Sequence, residues 1–250
     1  MSHHDGDEEV RLPGNVAGVM RAGNTVRRRA GPWTPAVHAL LGHLAGRVPG
    51  IPEVLGFDDR GREILSFLPG RVIDIDTEPL SLAQVCSIAR WTRAFHRAVA
   101  GFSHPGPWRY CPFPQPALIG HNDIAPYNVC FDGDRIAGVF DWDMAGPSTP
   151  LLELAFIAWN CVPLWRDISP PDAAERLATL AAAYNGPGAR AILRAVPFRI
   201  QTMLDWIPRA AAGGDEGMAN LMKLGEPGRS QAGLDLLTGR LLPAIDPLLA

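Results

Sequence analysis

HNDIAPYNV, residues 121–129, and VFDWD, residues 139–143, set a histidine, three aspartates and two asparagines into frames that are otherwise apolar. Between them a short run, Val129 to Phe131, meets Asp132-Gly133-Asp134 and returns as RIAGVF, residues 135–140. An Asp-Gly pair flanked by apolar runs signals a β-hairpin. Such a hairpin delivers Asp141 at the end of its return strand and gathers Asp123, Asn128 and Asp141 around one point. Turn capping is the other common use of Asp and Asn. Their ordered spacing beside apolar strands favours chemistry.

An aspartate and an asparagine offering oxygen ligands suit Mg²⁺, which prefers hard donors and completes its shell with water and phosphate oxygens. A separate carboxylate, Asp123, is then free to accept a proton from a hydroxyl nucleophile. Metal holders, a base and a nucleotide clamp together form the parts list of phosphoryl transfer.

The rest of the chain bounds the setting. At 250 residues, with 47% hydrophobic and 20% charged residues, it has the composition of a folded protein of one or two domains. A net charge of −3 gives no reason to expect a nucleic-acid partner. No apolar run reaches the roughly 18 residues of a membrane span. MSHHDGDEEV, residues 1–10, is too polar and acidic for a secretory signal, so a cytoplasmic location is expected. Cys86, Cys111, Cys130 and Cys161 lack paired spacing and read as buried free thiols. The sole lysine is Lys223, so anion binding before it falls to arginine, backbone amides or metal.

Residues 10–29 read as short strands with a glycine-bearing loop at Gly14–Gly18 and a tight turn at Gly23-Asn24. TPAVHALLGHL, residues 34–44, has apolar residues at helical spacing, with Thr34 as N-cap and Pro35 in the first turn. Two strands follow about a turn at Asp59–Gly61. After LPGR, residues 68–71, Ser81 and Gln84 form a capping box for a helix whose apolar face includes Leu82, Val85, Ile88, Phe95 and Val99. A Pro-rich loop spans Pro105–Pro116, and beyond residue 150 the chain is Ala/Leu-rich and mostly helical. The expected class is α+β and bilobal: a small antiparallel N-lobe over 1–68 carrying one helix, and a larger, mainly helical C-lobe over 69–250. A cleft between lobes is where ligands bind.

HNDIAPYN resembles the H-x-D-x-x-x-x-N catalytic loop of the aminoglycoside phosphotransferase and choline kinase family, whose fold is protein-kinase-like. VFDWD resembles that family's I-D-W-x-x-A segment, and PLLELA, residues 150–155, resembles its P-x-x-D-L-A with Glu153 for the aspartate. The likeness runs from the short strands to about residue 160 and is weakest in the C-terminal third. It implies Asp123 as catalytic base, Asn128 and Asp141 as Mg²⁺ ligands, and His121 as a residue shaping the loop. It also implies that Asp143 either approaches the metal or caps a turn, that Glu153 buttresses the loop, and that Ser66-Phe67-Leu68 offers backbone hydrogen bonds to adenine. The implied reaction moves the γ-phosphoryl of ATP or GTP to a hydroxyl of a small molecule, such as an antibiotic, a choline-like or homoserine-like metabolite, or a sugar. A catalytically silent nucleotide-binding protein is the alternative.

The small lobe departs from that pattern. Kinase-like folds pair a strand lysine with a helix glutamate to hold the nucleotide phosphates, and this chain has neither there. Strand faces alternate with period two, so on TVRRR, residues 25–29, Arg28 shares the face of Val26 and Arg27 points away. Arg28 is the expected phosphate contact, with Arg27 second. Its helix partner stays open, with Val37 or His38 in the glutamate's neighbourhood. Trp159, Trp165 and Trp206 are expected in the core, and Asp205, Asp215 and Glu216 are the acids available to a cationic acceptor. Oligomeric state leaves no mark in the sequence.

Overall fold

A computed structural model describes residues 9–12 and 18–249, so most of the expected Gly14–Gly18 loop lies outside the described residues. Strands β1 (Val10–Arg11), β2 (Met20–Ala22), β3 (Thr25–Arg29), β4 (Val54–Phe57) and β5 (Arg62–Ser66) form an antiparallel sheet in the order β1-β2-β3-β5-β4. Gly23, at φ 56°, supplies the left-handed turn between β2 and β3 that a side chain would resist. Between β3 and β4 the chain makes helix α1 (Thr34–Leu44), whose residues Val37, Leu40, Leu41 and Leu44 are buried at the i, i+3, i+4, i+7 spacing of one helical face. Thr34 is not the N-cap: Trp33 takes that position, and Thr34 Oγ1 accepts instead from the Gly31 N–H at 2.9 Å.

Downstream of this sheet, β6 (Arg71–Val72) leads to α2 (Leu82–Ala98), which starts at the expected Ser81–Gln84 capping box. Val85, Ile88, Phe95 and Val99 are buried, whereas Leu82, the first residue of the helix, is exposed. Two small sheets then frame the motifs. β8 (Val129–Asp132) and β9 (Arg135–Val139) form the expected hairpin, with Gly133 at φ 59° in the turn and β6 on its outer edge. β7 (Leu118–Gly120) pairs antiparallel with β10 (Gly146–Ser148), with Gly120 opposite Gly146. The chain entering the first motif is thereby fastened to the chain leaving the second.

The remainder is helical: α3 (Pro150–Cys161), α4 (Pro170–Tyr184), α5 (Ala189–Ala212), α6 (Glu216–Lys223), α7 (Gly228–Leu236) and α8 (Leu242–Ile245). α3 packs on α5 and α2 on α4, burying Leu154, Ile157, Leu177, Leu180, Val196 and Ile200 in one core. Trp159 is in that core, while Trp165 and Trp206 are half-buried. All four cysteines are free thiols, but only Cys130 and Cys161 are buried. Cys111 is exposed because its Pro-rich loop runs over the surface, and Cys86 is half-buried. Among the described residues no helix is long and apolar enough to cross a membrane.

Candidate active site

The loop after β7 is held from beneath by one buried acid. Glu153, in the first turn of α3, accepts the backbone N–H of His121 through Oε2 and that of Asn122 through Oε1, both at 2.8 Å. Burial acts to raise the Glu153 pKa, but His96, 3.8 Å away, and Arg199 hold it below the usual carboxylate range. Gly120 makes this approach possible, since a Cβ there would lie 2.6 Å from Glu153 Cδ. Asn122 is left-handed at φ 64°, and its Nδ2 donates to the carbonyls of Met144 and Gly146 at 3.2 Å each. The buried Arg199 of α5 donates to Asn122 O at 2.7 Å and to the Tyr110 hydroxyl at 3.1 Å.

His121 is fully buried between the two motifs. Its Nδ1 accepts the Asp123 N–H at 3.3 Å, which leaves Nε2 to donate to Phe140 O at 3.1 Å. Burial pushes its pKa down, so the neutral imidazole is the stable form and that tautomer suits both contacts. The ring ties the loop to the end of the hairpin.

Asp123 stands at the mouth of this arrangement with part of its surface open. Asn128 Nδ2 donates to its Oδ2 at 2.8 Å and to its carbonyl at 3.0 Å, and the Tyr127 hydroxyl donates to Oδ1 at 3.1 Å. Burial first, and the nearby Asp141 charge second, push the Asp123 carboxyl up to about 7. A carboxylate near neutrality is well matched to taking a proton at physiological pH. The Asn128 amide spends its nitrogen on Asp123, so Oδ1 is the atom it has for a cation.

Asp141 follows β9 in a left-handed conformation, φ 58°, that turns its side chain back toward β3. There it meets Arg28. Nη1 of Arg28 donates to Asp141 Oδ1 at 2.9 Å, Nη2 to Asp143 Oδ1 at 2.7 Å, and Nε to Glu63 Oε1 at 2.6 Å. Glu63 lies on β5 directly opposite Arg28 in the antiparallel register. Its second oxygen contacts His38 Nε2 of α1 at 2.8 Å. Burial alone would raise the Glu63 carboxyl, but His38 and Arg28 hold it below its ordinary value. Asp143 is raised by burial, with Arg28 opposing and Asp141 adding to the shift. It also lies 3.6 Å from Arg109, whose fork grips Asp215 with two 2.7 Å bonds and whose guanidinium stacks on Trp33 at 4.6 Å.

The structure therefore brings Arg28, Asp123, Asn128, Asp141, Asp143, His121 and Glu153 into one connected site. Arg27 points away and pairs with Glu9 at 3.1 Å. In the connector, Ser66 N–H is spent on Glu53 O at 2.9 Å and Phe67 N–H on Asn24 O at 2.8 Å. Asp215 and Glu216 are committed to Arg109 and Arg29. Sequence reasoning missed Glu63, His38 as its partner, Arg109 and Tyr127. The trace for Glu63 is an acid sharing the inward face of β5 with the buried Leu65. Arg109 has none, since it sits in an aperiodic loop.

Known proteins resemble this chain in sequence and fold. The phosphotransferase enzyme family model, APH, matches residues 109–195. The trifolitoxin immunity protein of Rhizobium leguminosarum bv. trifolii is 35% identical over 181 residues, 68% of this chain and 67% of its own. Among solved structures, a choline/ethanolamine kinase family protein from Mesorhizobium loti shares 18% identity and a TM-score of 0.54 over 96% of this chain and 92% of its own. Aminoglycoside phosphotransferase APH(3'')-Id from Streptomyces rimosus, in complex with ADP and streptomycin, shares 18% identity and a TM-score of 0.54 over 73% and 88%. The structural likenesses establish a kinase-like fold. With the buttressed H-x-D loop and the identity to the Rhizobium protein, they show that the chain belongs to the phosphotransferase enzyme family.

Proposed function

We propose that this protein moves the γ-phosphoryl group of ATP or GTP to a hydroxyl of a toxic small molecule, and that it does so in the cytoplasm. The observation that carries the proposal is Asp123, a carboxylate near neutrality at an open mouth, already bonded to one hydroxyl, that of Tyr127. An acceptor hydroxyl that takes the Tyr127 position gives its proton to Asp123 as its oxygen attacks the γ-phosphorus. The nucleoside diphosphate leaves from the opposite side.

Residues 1–68 form the nucleotide-binding lobe in this proposal and 69–250 the catalytic and acceptor-binding lobe. With the Ser66 and Phe67 N–H groups spent on Glu53 and Asn24, Leu68 is the connector residue left to offer an N–H to the nucleotide base. Arg28 faces the phosphates. Asn128 Oδ1 and Asp141, whose side chain is 47% exposed, are hard oxygen donors that fit Mg²⁺ and would hold it. When bound, the cation would offset phosphate charge.

The acceptor class rests on the Rhizobium relative, whose name denotes immunity to a toxin. Because Asp215 and Glu216 are neutralised by arginines, the acceptor proposed is a hydroxylated antimicrobial in general, with aminoglycosides as one case. The test is phosphate transfer from ATP or GTP with Mg²⁺ to a panel of hydroxylated antibiotics, read by acceptor mass. Asp123→Asn is expected to lower turnover about 10²- to 10⁴-fold. Near wild-type transfer by the folded variant refutes the assignment.

A further inference from the structure

The missing lysine–glutamate pair leaves a question about what aims Arg28. A guanidinium on a surface strand samples many rotamers, and holding a planar fork in one orientation takes partners on more than one nitrogen. Arg28 has them: Nε is bonded to Glu63, and the two terminal nitrogens reach Asp141 and Asp143. Glu63 differs from the other two. It is 1% exposed, it lies on the neighbouring strand in direct register, and its remaining oxygen is held by His38. Asp141 and Asp143 belong to the chain after the hairpin, across the site, and Asp141 is also the cation's ligand in the proposed function. Among the described residues, Glu63 alone fixes the root of the fork from Arg28's own sheet.

We propose that Glu63, clipped by His38, is the positioning residue of the nucleotide site, replacing an acid on α1 with one on β5. The Nε–H of Arg28 is given to Glu63, and this turns the Nη1 and Nη2 edge outward, toward the second motif and the phosphates. A buried carboxylate on a paired strand keeps that orientation with or without nucleotide. His38 couples the face of α1 to the same carboxylate, so the helix supports the pair without supplying the charge. This inference rests on the reading of Arg28 as the phosphate-facing residue.

The experiment is equilibrium binding of a fluorescent N-methylanthraniloyl ATP or GTP with Mg²⁺, so no acceptor is needed. Wild type, Glu63→Ala, Arg28→Ala and the double variant form a cycle, with folding checked by circular dichroism. Glu63→Ala is expected to weaken nucleotide binding by about tenfold to a hundredfold, the scale of one charge-assisted hydrogen bond. In the Arg28→Ala background the same change should add less than about twofold, because the guanidinium that Glu63 positions is gone. Glu63→Gln keeps a carbonyl to accept the Arg28 Nε–H and should bind more tightly than Glu63→Ala, which also covers a failure of the alanine variant to fold. Unchanged binding in Glu63→Gln and Glu63→Ala, or equal losses with and without Arg28, overturns the inference while leaving the phosphotransferase reading standing. A wild type that binds neither nucleotide overturns both.

Discussion

Gly120→Ala offers a measurement of how the loop after β7 is held. The three nearest atoms to a Cβ at position 120 all belong to Glu153, with Cδ at 2.6 Å, Oε1 at 2.8 Å and Oε2 at 2.9 Å. No atom pair of that kind survives at those distances, so the carboxylate must swing away. Gly120 does not adopt a positive φ, so alanine brings no backbone strain of its own there. What is lost is the pair of 2.8 Å bonds to the His121 and Asn122 N–H groups. A hydrogen bond to a charged group contributes about 1.5–3 kcal/mol, so displacing both is expected to cost about 3–6 kcal/mol. Glu153→Ala removes the same acceptors and is expected to cost a similar amount. The two changes must then be strongly non-additive: with the Glu153 side chain gone, the added methyl has room and costs about 0.5 kcal/mol or less. Urea unfolding of the two single variants and the double variant measures this directly, with midpoints converted through a shared slope. If the double variant loses the sum of the two single losses, Glu153 is not what Gly120 makes room for, and the account of the loop fails.

Two further outcomes follow from Asp123, the proposed base. A carboxyl raised to about 7 binds its proton more tightly in the folded than in the unfolded chain, where its pKa is about 3.9. The stability it contributes is therefore complete below pH ~4 and lost as pH rises through about 7. Because Asp123 keeps some solvent contact, the loss is put at about 1–2 kcal/mol. Without nucleotide or divalent ions, Asp123→Asn should then melt a few degrees above wild type at pH 8 and show no such advantage at pH 4.5; parallel melting curves across that range would contradict the shift. Tyr127→Phe uncovers Asp123 Oδ1, so water should reach the base and acceptor-independent nucleotide hydrolysis should rise by about threefold to tenfold. Hydrolysis that stays level or falls would show that the phenol does not cover the base.

What could be read from the sequence was local. The Asp-Gly turn between β8 and β9, the Ser81–Gln84 capping box and the apolar spacing of α1 each lie within a few residues, and each formed as expected. The side of β3 on which Arg28 projects followed from alternation alone. Its partners did not, because Glu63 is 35 residues away, Asp141 113 and Asp143 115, and their meeting depends on register and on how the second motif sits against the sheet. Arg109 and Asp215, 106 residues apart, are harder still: one lies in an aperiodic loop, and the other reads equally well as a helix N-cap, which it also is. Thr34 shows the opposite failure. A residue type that favours caps was present at a helix start, yet it lies one position inside, where its hydroxyl serves the Gly31 turn.

The charges around Arg28 bear on how a nucleotide would reach the proposed site. Glu63, Asp141, Asp143 and Asp215 are four carboxylates within a network that contains two guanidiniums, Arg28 and Arg109. Carboxylates outnumber guanidiniums in this cluster, and Asp141 is the member most open to solvent. A bare nucleoside triphosphate would meet this field unfavourably, since like charges at short range repel strongly where solvent screening is weak. A nucleotide arriving with its divalent cation presents the opposite charge to Asp141 and Asn128, and Arg28 is then relieved of part of its carboxylate load and freer to face the phosphates. In the usual kinase arrangement a lysine carries one acid; here a single arginine carries three, so in the proposed function a cation would relieve that load as well as offset phosphate charge. In the proposed function the site would therefore admit a metal–nucleotide complex more readily than a bare nucleotide, with Glu63 keeping Arg28 in place while Asp141 would turn from Arg28 to the cation.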